Sequence, residues 1–108
     1  MQVTDFNSLQ NFLRDKSVFQ QYDLNRIGVF GSFARGEKFK DIDLMVEGNE
    51  NDFKKFLALK NYLETELKLP VDIMIEKFAD PIIIYRARKD MKYATRNLKR
   101  FGLPAANA

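Results

Sequence analysis

Apolar positions along this chain recur with two periods, one helical and one extended, and the switches between them mark out the elements. Phe6, Leu9, Phe12 and Leu13 fall at three- and four-residue intervals behind Thr4 and Asp5, either of which can cap a helix. A second short helix follows from Ser17, with Val18, Phe19 and Tyr22 on one face. Asp23 to Asn25 reads as a turn, and Arg26 to Phe30, rich in β-branched and aromatic side chains, as a short strand. Gly31-Ser32 stops that strand abruptly and opens another helix. From Asp41 to Glu47 the period is two: Asp41, Asp43, Met45 and Glu47 face one side, polar and away from the core, and Ile42, Leu44 and Val46 face the other. Residues 51–68 return to helical spacing through Phe53, Phe56, Leu57, Tyr62, Leu63 and Leu67, and Pro70 stops that helix. Val71, Ile73 and Ile75 then alternate with Asp72, Met74 and Glu76 in a third strand with one polar face. Asp80-Pro81 is an acidic cap followed by proline at the first helical position. The helix it starts either continues to Arg100 or breaks near Lys89-Asp90, with a brief extended stretch around Lys92 to Ala94. Ile82, Ile83 and Tyr85 on this helix are read as core rather than interface, and residues 102–108 as a loose tail.

Length and composition narrow the picture. A chain of 108 residues builds one core and reads as a single domain over residues 1–108, and 45% hydrophobic against 31% charged residues is a globular balance. No apolar run approaches the ~20 residues of a membrane helix, and no signal-peptide pattern opens the chain, so a soluble cytoplasmic protein is expected. With neither Cys nor His, disulfides, thiolate zinc sites, cysteine nucleophiles, imidazole bases and histidine ligands are all excluded. Catalysis is left to carboxylates, hydroxyls, Lys, Arg or a metal held by oxygen, a setting that suits Mg²⁺ or Mn²⁺. The net charge of +3 is uneven: Met1 to Tyr85 carries 11 basic and 14 acidic residues, whereas from Arg86 onward seven basic residues face Asp90 alone. That basic segment is either a solvated helix face or a docking surface for nucleic acid, nucleotide phosphates or an acidic partner.

Three acids and one turn carry the candidate chemistry. Asp41 and Asp43, two apart on a strand, project from the same face with Cβ atoms roughly 6 to 7 Å apart. Carboxylates that close repel one another, and a divalent cation between them removes the repulsion. Asp72 joins them if its strand lies beside theirs; otherwise all three are solvent-facing acids on an exposed sheet. The run Val29-Phe30-Gly31-Ser32-Phe33-Ala34-Arg35-Gly36 feeds a strand through a glycine turn into a helix, whose free N–H groups and Ser32 hydroxyl suit a phosphate. Ser32 as an ordinary helix cap is the plainer reading. Arg35 is a further candidate for a phosphate contact or a solvated surface arginine.

The compound motif Gly31-Ser32-Phe33-Ala34-Arg35-Gly36 followed by Asp41-Ile42-Asp43-Leu44 resembles the signature of the minimal nucleotidyltransferases, in the DNA polymerase beta superfamily. The resemblance runs from about Arg26 to Glu76. It implies an α+β, polymerase beta palm-like fold with a small mixed sheet packed against helices. It also implies a nucleotide-binding turn at Gly31, Ser32 and Arg35, and metal-binding, catalytic carboxylates at Asp41, Asp43 and Asp72. The implied activity is Mg²⁺-dependent transfer of a nucleoside monophosphate, AMP from ATP, to a hydroxyl of a protein. The implied partner is a HEPN-domain protein, with this chain as antitoxin of the pair. Where family members often carry a longer connection and a serine before the first aspartate, this chain has the short Glu37 to Lys40. That departure keeps open a second reading, a catalytically weak or inactive module that binds a partner protein or nucleotide.

Overall fold

The computed structural model describes residues 2–96, and the loose tail expected at 102–108 lies outside them. Helix α1 spans Phe6–Asp15 and is capped by Asp5, whose side chain accepts from the Ser8 N–H while Ser8 bonds back to the Asp5 backbone. Helix α2 (Val18–Gln21) follows, then strand β1 (Arg26–Phe30), helix α3 (Gly31–Ala34) and strand β2 (Ile42–Val46). A single 3₁₀ turn over Glu50–Asp52 leads into α4 (Phe53–Leu67), which ends on Lys68 in the left-handed conformation. Strand β3 (Val71–Ile75), another 3₁₀ turn, α5 (Pro81–Asp90) and strand β4 (Lys92–Thr95) complete the order. Of the two readings of the last segment, the break holds: α5 stops at Asp90 and the chain extends into β4.

The four strands form one sheet in the order β3-β2-β1-β4, with β1 antiparallel to both neighbours and β2 parallel to β3. The alternation read in the sequence has a physical cause here. Ile27, Val29, Ile42, Leu44, Val46 and Val71 point to one face, where α1, α2 and α4 bring Leu9, Leu13, Phe19, Leu59 and Leu63 against them in the main core. Both edges are tied to helices. Lys60 and Glu64 of α4 hydrogen-bond the Val71 carbonyl and N–H on the β3 edge, and Arg14 and Gln10 of α1 hold Thr95 on the β4 edge.

The opposite face corrects two expectations. Met45 is buried, because α5 crosses this face and packs Ala87 against Phe30 and Met45, with Met74, Ile84 and Met91 alongside. The polar face is therefore polar only where α5 does not reach. Conversely, Ile82, Ile83 and Tyr85 are exposed, Ile82 at 62% and Tyr85 at 66%, since the side of α5 that meets the sheet carries the small Ala87. Ile83 lines an open apolar groove with Phe53, Leu57 and Phe78 instead of entering a core. Among the described residues no helix is long and apolar enough to cross a membrane.

Candidate active site

The site forms at the end of the sheet where β1 finishes and β2 and β3 begin. Strand register places Phe30 opposite Asp43 and Asp43 opposite Asp72, so two of the three acids are direct neighbours on parallel strands. Ile42 donates its N–H to the Pro70 carbonyl at 3.0 Å, which locks that register where both strands begin. Asp41 lies immediately before β2. One carboxylate oxygen from each of Asp41, Asp43 and Asp72 lies within 4.8 Å of the others. Asp41 and Asp43 are half-buried and Asp72 is exposed, and no Lys or Arg among the described residues pairs with any of them.

Such a cluster is electrostatically strained. Burial first, then the charges of Asp41 and Asp72, push the Asp43 carboxyl up to about 6 from 3.8. Oxygen-only, anionic, mutually repelling and without a protein cation, this donor set fits a hard divalent metal. The sign of the linkage follows. Because the folded-state value lies above the unfolded one, the protonated Asp43 favours folding below pH ~4, and that contribution is lost as pH rises through about 6. In EDTA the melting temperature should fall across that window. Added Mn²⁺ should raise it, by more as pH rises past about 6 and the carboxylate is freed to ligate. A melting series over pH in EDTA and in Mn²⁺ checks both signs.

The turn sits against this cluster. Phe30, extended, is the N-cap of α3 and offers no side-chain cap, so Ser32 lies inside the helix and is not its capping residue. The first N–H groups of α3 have no partner within the helix. Gly31 has φ +78° and runs so close to β2 that a Cβ added there would collide with the Asp43 carboxylate. The phosphate-type turn and the acidic cluster are thus in contact, and Gly31 makes that contact. The short connection that follows is also anchored: Phe39 packs edge-on against Phe33, with ring centroids 4.7 Å apart.

Arg35, the C-cap of α3, is held by two carboxylates, donating from Nη1 to Asp90 at 2.7 Å and from Nε to Glu37 at 3.1 Å. Glu37 and Asp90 were not singled out by the sequence. The available signal was Asp90 standing as the sole acid in a strongly basic segment.

A family model described as "Polymerase beta, Nucleotidyltransferase" matches residues 14–95, most of the chain. The protein belongs to that nucleotidyltransferase family. A Methanocaldococcus jannaschii relative, provisionally named protein adenylyltransferase MJ1379, is 38% identical over 84 residues, covering 72% of this chain and 84% of the relative. Among solved structures, a chain from a toxin-antitoxin complex with AMP-PNP superposes with a TM-score of 0.64 at 20% identity, over 83% of this chain and 75% of that one. A chain from a complex of tri-AMPylated Shewanella oneidensis HEPN toxin with MNT antitoxin superposes with a TM-score of 0.59 at 20% identity, over the same shares of the two chains. The nucleotidyltransferase fold expected from the motif is borne out, with a mixed four-stranded sheet and five α-helices among the described residues. The protein is a nucleotidyltransferase whose acidic triad can hold a divalent metal.

Proposed function

We propose that residues 1–108 act as one nucleotidyltransferase domain that moves AMP from ATP to a hydroxyl of a HEPN-domain protein in the cytoplasm, with Mg²⁺ held by Asp41, Asp43 and Asp72. The observation that carries this reading is the contact between the Gly31 turn and a cluster of three carboxylates within 4.8 Å. When bound, the cation neutralises the triad and the triphosphate charge that grows as pyrophosphate leaves. The chain's own residues supply the rest. N–H groups at the start of α3 and the Ser32 hydroxyl hold triphosphate oxygens, on the turn that Arg35 completes. The acceptor oxygen attacks the α-phosphorus, the bond from that phosphorus to the bridging oxygen breaks, and pyrophosphate departs. Asp72, the most exposed of the three acids, takes the hydroxyl proton. Positioning and electrostatics account for most of the acceleration in such a transfer.

The relative named as a protein adenylyltransferase and the AMPylated toxin complex support the choice of AMP and of a protein acceptor. To test the proposal, the purified protein is incubated with Mg²⁺, ATP labelled at the α-phosphate, and the HEPN-domain protein of its own genome. Label should appear on the HEPN protein and vanish in EDTA. Tight complex formation with no label transferred would overturn the catalytic assignment and leave a partner-binding module.

A further inference from the structure

We infer that Asp90 is a positioning residue for nucleotide binding, acting through Arg35 to hold the Gly31–Gly36 turn in place; the inference rests on the reading of that turn as the nucleotide site. Asp90 occupies the last position of α5, where the helix dipole disfavours a carboxylate. Its neighbours Arg86, Arg88, Lys89 and Lys92 are all basic, so local pairing alone does not account for where it points. Its bond instead crosses 55 residues to Arg35, at 2.7 Å, and its side chain is only 21% exposed. Arg35 in turn closes α3, and its Nε side is taken by Glu37 at the start of the connection to Asp41. A guanidinium is planar with five donors in a fixed fork, so it holds the two carboxylates from different edges in one set geometry. The result is a strap from α5 to the turn, and Gly31 of that turn lies against Asp43. Ala87, one turn earlier on α5, is buried against Phe30 and Met45, so the far end of the strap is anchored in packed structure.

A direct phosphate contact by Arg35 makes the opposite prediction, because Asp90 would then compete with the nucleotide for the guanidinium. Asp90→Asn separates the two. The strap predicts a rise of about five-fold in KM for ATP, the scale of one exposed ion pair, with kcat within two-fold. Asp90→Glu, which keeps the charge, should restore most of it. Hydrogen exchange of the Ser32 to Glu37 amides, measured without nucleotide, should quicken in Asp90→Asn while β2 and α4 stay protected. That arm needs no activity, so it decides the strap even if the wild-type protein transfers no AMP and the proposed function fails. Unchanged exchange, or a KM that falls, overturns the inference. Faster exchange with unchanged KM reduces the pair to a structural contact and overturns it as well.

Discussion

Replacing Asp43 with Asn should lower AMP transfer by about three orders of magnitude, roughly 4 kcal/mol of transition-state stabilisation, while leaving the fold intact. Asp43 is the central member of the triad, in register with Asp72 and two residues from Asp41. Asparagine keeps its size and shape but cannot supply the charge that a divalent cation requires. The stability change should have the opposite sign to the activity change. The Asp43 carboxyl is pushed up to about 6 by burial and by its two acidic neighbours, so at neutral pH its ionised form is held against its own electrostatics. Removing that charge relieves the repulsion, and the metal-free variant should melt at or above the wild-type temperature near pH 7.5. It should also lose most of the Mn²⁺-dependent rise. A site that costs stability and returns function is a common outcome where charge is gathered for catalysis. Melting curves with and without Mn²⁺, alongside the transfer assay, check the pair of signs. A variant that melts well below wild type in EDTA would show that Asp43 holds the fold together, and the functional reading of the triad would fall.

The alternation of Ile42, Leu44 and Val46 and of Val71 and Ile75 was enough to place β2 and β3, because a strand buried on one face writes its period into the sequence. The same alternation could not show that those strands lie side by side. Their neighbourhood depends on α4 returning the chain to a parallel position, and only then does Asp72 stand opposite Asp43. The motif supplied that link by resemblance, where periodicity left two alternatives open. Met45 departs from the alternation for a related reason: a period of two says which residues share a face but not what covers the face. Here α5 covers it, and the phase of α5 follows the close packing of Ala87 onto Phe30 and Met45. Ile84 joins that contact, and Ile82, Ile83 and Tyr85 are left outside. Hydrophobicity alone phases a helix poorly when the contact requires a small residue. Asp90 stands out locally as the one acid in a basic segment, but its pairing with Arg35 does not, since the partners are 55 residues apart.

Gly31 is the position where backbone shape and site chemistry meet, and Gly36 provides its control. Both have positive φ, +78° and +75°. Alanine at either should therefore cost about 1 kcal/mol or somewhat more in backbone strain, a fall of roughly 4–8 °C in melting temperature for a domain of this size. Their surroundings differ. Nothing lies within 4 Å of a Cβ at Gly36, whereas a Cβ at Gly31 would collide with the Asp43 carboxylate. The carboxylate is the free end of a side chain, so it can move aside, and Gly31→Ala should still fold. Moving it displaces an oxygen of the proposed metal site, and a displacement near 1 Å at a reacting centre costs on the order of 100-fold. The expected pattern is matched stability losses with divergent activity: Gly36→Ala within a few-fold of wild type in AMP transfer, Gly31→Ala lower by about two orders of magnitude. Combining Gly31→Ala with Asp43→Asn makes the argument quantitative. If Gly31 acts through Asp43, the double variant should lose little more activity than Asp43→Asn alone, because the displaced oxygen no longer contributes. Additive losses would mean that alanine at Gly31 damages the turn independently of the triad, and the contact between them would then carry no catalytic weight.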